Sequence, residues 1–329
     1  MAKGYFRVTS KIKLSELKLG DRLEESDFAS MTEDGQFIQM EYVSPENAMP
    51  EIEAKSGVYT LVKTPFGLGL EKTSFQESNV LREFVNTKEI LTKINNFFSR
   101  LHIYEKYKIF PKRGILLYGP AGTGKSTAIA ETVNSVKDNP DYFTLVWHTD
   151  KIDAGDVKDF IKHLKFNGPN KMILIIEDIG GVEVDNAIIR SESSLLALLD
   201  NQEKAFKIPT LILATTNYIE NFMGNLTNRP GRFDEKILFG YPKADARKML
   251  CEFYDKDNIL SKKAKDLLVS KKCDKFTPAQ IQEVIVRSEI NNIPSEQVVE
   301  ELINEIKKYE NSFREEVKAR IGMVDCDDD

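Results

Sequence analysis

The octapeptide Gly119-Pro120-Ala121-Gly122-Thr123-Gly124-Lys125-Ser126 brings three glycines, a lysine and a hydroxyl together at fixed spacing. It follows the apolar run Gly114–Tyr118 and precedes Thr127-Ala128-Ile129, where a helix is predicted. This is the GxxxxGK[ST] pattern in the strand–loop–helix setting that the pattern requires. Glycines let the backbone curl so that successive N–H groups face one anion, and the following helix N-terminus adds its positive dipole. The Lys125 ammonium would reach the β- and γ-phosphates of ATP, and the Ser126 hydroxyl would be offered to Mg²⁺. Residues Gly119 to Thr127 are therefore the candidate nucleotide-binding segment.

Two further polar groups stand at the ends of apolar runs. Met172–Ile176 terminates in Glu177-Asp178, and a buried strand ending in carboxylates presents them where α/β proteins bind ligands. Alone, such a pair is often a helix cap or surface charge. Some fifty residues after a phosphate loop, one carboxylate can hold Mg²⁺ and the other can orient or deprotonate water. By position, Glu177 takes the metal role with Ser126, and Asp178 the water-activating role. Thr210–Thr216 is another apolar run, and Asn217 at its end could hydrogen-bond a γ-phosphate or the lytic water.

These groups need a scaffold that aligns strand ends. Gly114–Tyr118, Phe143–Trp147, Met172–Ile176, Thr210–Thr215 and Ile237–Phe239 are predicted strands, with helical stretches between them, as at Ser194–Leu199. Alternating β and α elements with apolar strands indicate a parallel sheet flanked by helices, an α/β P-loop NTPase arrangement. After Pro242 the pattern turns helical over 244–256, 261–270, 278–290 and 294–318, which predicts an all-α lid. Before residue 75, Ile38, Met40 and Tyr42 alternate with polar residues, and Gly57–Val62 is a second strand candidate followed by the turn signal Thr64-Pro65-Phe66-Gly67. The expected division is a β-rich N-terminal docking module at 1–75, an ATPase domain at 76–242 and a lid at 243–310. A helical extension with a solvated acidic tail would complete it at 311–329.

Composition narrows the rest. The 329 residues carry a net charge of −6, with 41 % hydrophobic and 30 % charged residues, a mixture expected of a globular chain. The acidic balance disfavours coating of nucleic acid, which needs a basic face. Lys262-Lys263-Lys265 and Lys271-Lys272 nonetheless keep a DNA-directed role as an alternative. Three cysteines without metal-ligand spacing fit a reducing compartment, and no apolar leader or membrane anchor is read at the N-terminus, so a cytoplasmic location is expected. The three histidines have no second ligand at metal spacing.

Taken in order, these segments resemble the AAA branch of the AAA+ ATPases. Pro111–Ser126 is similar to that family's Walker A segment with its lead-in, Glu177-Asp178 to Walker B, and Ala214–Asn217 to sensor 1. Asn228-Arg229-Pro230-Gly231-Arg232-Phe233-Asp234 resembles the second region of homology, and Phe276–Ile281 the start of a lid helix. The resemblance covers residues 80–310 and implies an ATP- and Mg²⁺-dependent homo-oligomeric ring, usually a hexamer, that remodels a protein or protein complex. It also implies that Arg229 and Arg232 reach a neighbouring subunit's nucleotide, where a guanidinium neutralises charge on the γ-phosphoryl group.

Two features depart from the family pattern. The carboxylates run Glu then Asp rather than Asp then Glu, which with Thr277-Pro278-Ala279-Gln280-Ile281 is similar to the mitochondrial subgroup that assists respiratory-complex assembly. That subgroup carries a membrane anchor not read here. The stretch Thr149–Asp156, where threading motors carry an aromatic residue, has none. It would either touch a folded surface or serve as a solvated connection. A small-molecule kinase using the same loop would leave the paired arginines and the lid without a ring role.

Overall fold

A computed structural model describes residues 5–13, 28–31, 36–43, 52–64, 67–75, 87–179, 195–200, 204–217 and 231–321. For 5–43 and 309–321 the description is of the backbone alone. Strands β1 (Tyr5–Lys13), β2 (Phe28–Met31) and β3 (Gln36–Val43) form an antiparallel sheet in the order β1-β3-β2. The alternating residues Ile38, Met40 and Tyr42 lie within β3. A short β4 (Ile52–Ala54) follows, then β5 (Gly57–Thr64) and β6 (Gly67–Lys72), an antiparallel pair.

Helices α1 (Thr87–Ser99) and α2 (Leu101–Lys106) lead to β7 (Lys112–Tyr118), α3 (Lys125–Val136), β8 (Tyr142–His148) and α4 (Ala154–Lys162). The chain continues through β9 (Leu164–Phe166), β10 (Lys171–Glu177), helical residues 195–200 (α5), β11 (Thr210–Thr216) and β12 (Glu235–Leu238). Seven strands make one sheet in the order β12-β7-β11-β10-β8-β5-β6, and every pairing in it is parallel except β5 with β6. β4 pairs with β9 in a separate two-stranded ladder.

Both faces of this sheet are covered at its centre, which is why strands such as β10 are apolar at successive positions rather than at alternate ones. Met172 to Ile176 of β10 are all fully buried. Leu174 and Ile176 face a cluster built with Val157, Phe160, Leu198 and Leu199, whereas Ile173 and Ile175 face Ile90, Ile94, Ala128 and Ile129. The β5–β6 pair, read in the sequence as part of the N-terminal module, is bonded to this sheet through Gly57 to Thr60 on β8, and Tyr59 stacks on Phe143 at 5.5 Å. The boundary expected at residue 75 therefore runs between this pair and the helices that cover the sheet. β12 begins two residues earlier than its apolar content suggests. At the sheet edge it can carry Glu235, whose carboxylate pairs with Lys93 and, at 3.2 Å, with Arg113.

Four helices occupy the stretches expected to form the lid: α6 (Ala244–Tyr254), α7 (Lys262–Val269), α8 (Pro278–Asn291) and α9 (Ser295–Ile321). They enclose their own core around Leu250, Leu268, Phe276, Ile281 and Val299. Arg247 lies inside it, 1 % exposed. Its guanidinium donates to the carbonyls of Pro242, Leu268, Val269 and Ser270 and to Asp274 at 2.7–3.0 Å, so the buried cation is fully engaged. α8 starts with a capping box between Thr277 and Gln280 and with Pro278 in its first turn.

Candidate active site

The loop between β7 and α3 has three glycines at positive φ: Gly119 at 142°, Gly122 at 76° and Gly124 at 97°. Two of them also make room. A Cβ on Gly119 would lie 2.1 Å from the Phe239 carbonyl oxygen, and one on Gly122 would lie 2.9 Å from Thr277 Oγ1. Gly124 caps α3 in a left-handed conformation, so the first free N–H groups of the helix open toward the loop. Thr123 Oγ1 bonds the Pro120 carbonyl at 2.8 Å. Lys125 is 6 % exposed, and its ammonium donates to the Gly119 and Pro120 carbonyls at 2.6 and 2.8 Å. Burial pushes its pKa down to about 8, and the nearby Asp178 carboxylate opposes that. Ser126 stands exposed at the first turn of α3, with Thr127 partly buried beside it and Ala121 exposed in the loop.

Glu177 is the last residue of β10 and lies in register with His148, the last residue of β8. His148 Nδ1 sits 3.2 Å from Glu177 Oε2. Burial raises the Glu177 pKa, Asp178 raises it further, and His148 opposes both. Asp178 takes a left-handed backbone with φ of 52°. Its N–H donates to Thr215 Oγ1 at 3.0 Å, and the Thr149 hydroxyl is shared between the carbonyls of Glu177 and Asp178, 3.2 Å from each. Asn217 Nδ2 lies 3.5 Å from Asp178 Oδ1. The Gly119 N–H reaches the Thr216 carbonyl at 3.3 Å, which ties the loop to the strand bearing Asn217. Lys125, Glu177, Asp178 and Asn217 thus converge at the C-terminal ends of β7, β10 and β11.

The arginines belong elsewhere. Arg229 lies outside the described residues. Arg232 is 4 % exposed and forms a bidentate pair with Asp200, at 2.8 and 2.9 Å. Its backbone presses on β7 at Gly114, where a Cβ would lie 1.9 Å from the Arg232 oxygen. Lys112 is close by, its pKa pushed down to about 8 by burial while Asp200 and Asp234 oppose. That is the start of β7, roughly 20 Å along the strand from Gly119. In this structure the Arg232 guanidinium is held by Asp200, away from the phosphate loop of its own chain.

Sequence reasoning passed over several groups at this site. His148, Thr149 and Thr215 are joined to the two carboxylates only by the register of neighbouring strands. Asp200 stands 32 positions before its arginine. Ala279 N–H reaches the Gly122 carbonyl at 3.4 Å, so the lid touches the loop directly. The stretch Thr149–Asp156 has a structural anchor: the Trp147 indole N–H donates to the Ile152 carbonyl at 2.8 Å, and Asp153 caps α4.

The donor set fits a magnesium-bound nucleotide. Among the described residues no three carboxylate, histidine or cysteine groups form a metal cage. Mg²⁺ at phosphates needs none, because one or two protein oxygens and the phosphates suffice. Ser126 and Glu177 supply such a partial set, and the glycine cradle with Lys125 supplies the anion site.

Fold and site together define a P-loop NTPase. Residues 115–241 match the family model of the "ATPase family associated with various cellular activities (AAA)". An Arabidopsis thaliana AAA-ATPase is 29 % identical over 216 residues, covering 61 % of this chain and 46 % of the relative. The Arabidopsis protein HYPER-SENSITIVITY-RELATED 4 is 29 % identical over 242 residues, covering 68 % and 40 %. Human ATPase family AAA domain-containing protein 2 is 30 % identical over 171 residues, covering 47 % and 12 %. The chain spans less than half the length of each of these relatives. The similarities support an AAA+ ATPase. No described helix is long and apolar enough to cross a membrane.

Proposed function

We propose that this chain hydrolyses ATP with Mg²⁺ as a subunit of a homo-oligomeric ring, a hexamer, and uses the cycle to remodel a protein or protein complex. The convergence of Lys125, Asp178 and Asn217 on a glycine-lined loop, inside a segment that matches the AAA family, carries this reading. Gly119 to Thr127 wrap the phosphates with backbone N–H groups, and Lys125 exchanges two loop carbonyls for phosphate oxygens. Ser126 and Glu177 would hold the metal, which would neutralise phosphate charge when bound. Asp178 accepts the proton of the attacking water, and Asn217 holds the Asp178 carboxylate or the γ-phosphate in line. Arg229 and Arg232 act on the neighbouring subunit's site. For Arg232 this requires its guanidinium to leave Asp200 during assembly or turnover. The N-terminal β1–β3 sheet docks the substrate, and the lid (243–310) closes over the nucleotide.

The test is a pair of carboxylate variants. Asp178→Asn retains ATP but does not hydrolyse it, because an amide cannot accept a proton. Glu177→Gln weakens Mg²⁺-dependent binding more than Asp178→Asn does. Calorimetric titration with and without Mg²⁺ distinguishes them, and the reverse pattern would exchange the two roles. The ATP-trapped Asp178→Asn protein should co-purify a protein in a nucleotide-dependent way. Turnover stimulated by DNA instead would overturn the remodelling part of the proposal.

A further inference from the structure

Asp178 stands where the family pattern has glutamate, so its carboxylate reaches one methylene less far. Its backbone is also unusual, with φ of 52°, a region that non-glycine residues rarely enter, although aspartate tolerates it better than most. Such a conformation persists only where the surroundings over-determine it. Those surroundings are hydroxyl groups. Thr215 and Thr216 are 1 % and 0 % exposed at the end of β11, after the apolar run Leu211–Ala214. Both hydroxyls are directed at the segment that follows β10: Thr215 Oγ1 accepts from the Asp178 N–H, and Thr216 Oγ1 donates to the Ile179 carbonyl at 2.8 Å. From the other flank, Thr149 at the end of β8 bridges the carbonyls of Glu177 and Asp178. The Ile179 N–H closes the set on the Thr215 carbonyl at 2.9 Å.

We propose that Thr215, assisted by Thr149, is a positioning residue that clamps Asp178 in its left-handed conformation and so aims a short carboxylate at the reacting phosphate. The inference rests on reading Asp178 as the water-activating group. Three features make it specific. The hydroxyl contacts backbone and not the carboxylate, so it controls direction without altering charge. The clamp is drawn from the two strands that flank β10, so β8, β10 and β11 must be in register for the carboxylate to point correctly. An aspartate built on this backbone is also not interchangeable with glutamate, because a longer side chain leaving a left-handed residue overshoots the position that the clamp sets.

The experiment compares Thr215→Val, which is isosteric but lacks the acceptor, with Thr215→Ser, which retains it, in the full chain. Thr215→Val should lower kcat for ATP by about 10²-fold, the cost of a misplacement near 1 Å, with KM unchanged. Thr215→Ser should recover most of the loss. Asp178→Glu should be slower than wild type. Independently of turnover, hydrogen exchange of the Asp178 amide without nucleotide should quicken in Thr215→Val and remain slow in Thr215→Ser. Wild-type kcat and amide protection in Thr215→Val would overturn the proposal, as would a serine variant as impaired as the valine one. If Thr215→Val does not fold, Thr215→Ala, which also lacks the acceptor, is read by the same two measurements and the same outcomes decide. If wild-type protein does not hydrolyse ATP, the proposed function fails on its own, and amide exchange still decides whether the clamp exists.

Discussion

The two ends of β7 hold charge in opposite ways. At Lys112 and Gly114 the ionic groups are closed on one another: Arg232 grips Asp200 through two bonds, Asp234 accepts from the Gly114 N–H at 3.2 Å, and Glu235 serves Lys93 and Arg113. At Gly119, beyond the other end, contacts are longer or borrowed. Asn217 is 3.5 Å from Asp178, His148 is 3.2 Å from a carboxylate whose pKa is raised, and Lys125 rests on backbone carbonyls. The first end is finished by the chain itself. The second leaves its charges with interactions that a phosphate could replace, as the proposed nucleotide site needs.

The largest effect that could break this contrast concerns Arg232. If it acts across a subunit boundary, Arg232→Ala should lower turnover by about 10³–10⁵-fold while ATP binding persists. Lys125→Ala should abolish ATP binding and hydrolysis. Mixing the two inactive proteins should restore hydrolysis, because the Lys125→Ala subunit lends its arginines to an occupied site next door. Recovery is measured as phosphate release across mixing ratios. Normal hydrolysis by an Arg232→Ala monomer would remove the ring from the account.

Asp200→Ala tests the other half of the same pair. Removing one partner of a buried ion pair is destabilising, by about 3–5 kcal/mol. The thermal midpoint should fall accordingly, whereas Asp178→Asn, at the open end, keeps a residue that tolerates the left-handed backbone and should leave it nearly unchanged. Equal shifts in calorimetry would mean that the two ends are not built differently.

The smallest effect is a pH dependence shared by the two ends. Lys112 and Lys125 are both pushed down to about 8 by burial. Between that value and the ordinary lysine pKa the unfolded chain binds more protons, so the stability of the nucleotide-free protein should rise with pH over this window. Nucleotide affinity should move the other way, falling above about pH 8 as Lys125 loses its proton. Lys112→Met should reduce the gain in stability and leave the affinity profile intact, which titrations from neutral to alkaline pH can check.

Local signals carried much of this into the sequence. Gly119, Gly122 and Gly124 are legible because φ values of 142°, 76° and 97° favour glycine, and the helix must start immediately afterwards. Met172–Ile176 is legible as a buried strand because helices cover both of its faces. Non-local pairings were not legible. Nothing near Thr215 indicates that its hydroxyl meets a peptide 37 positions earlier, and nothing near Arg232 points to Asp200. The strands β5 and β6 look like an autonomous hairpin because their pairing with β8 depends on a partner more than eighty residues on. β12 begins two residues before its apolar content because an edge strand can start on the charged Glu235.

Gly122 has a consequence for how such proteins can change. At its φ of 76° a Cβ would lie 2.9 Å from Thr277 Oγ1 and 3.1 Å from Ala279 Cβ, and Ala279 N–H bonds its carbonyl. Loop and lid are therefore matched like a key and its ward: a substitution at Gly122 pushes on the first turn of α8, and a bulkier first turn pushes on the loop. Neither part can be exchanged with a relative's unless the other is recut to fit.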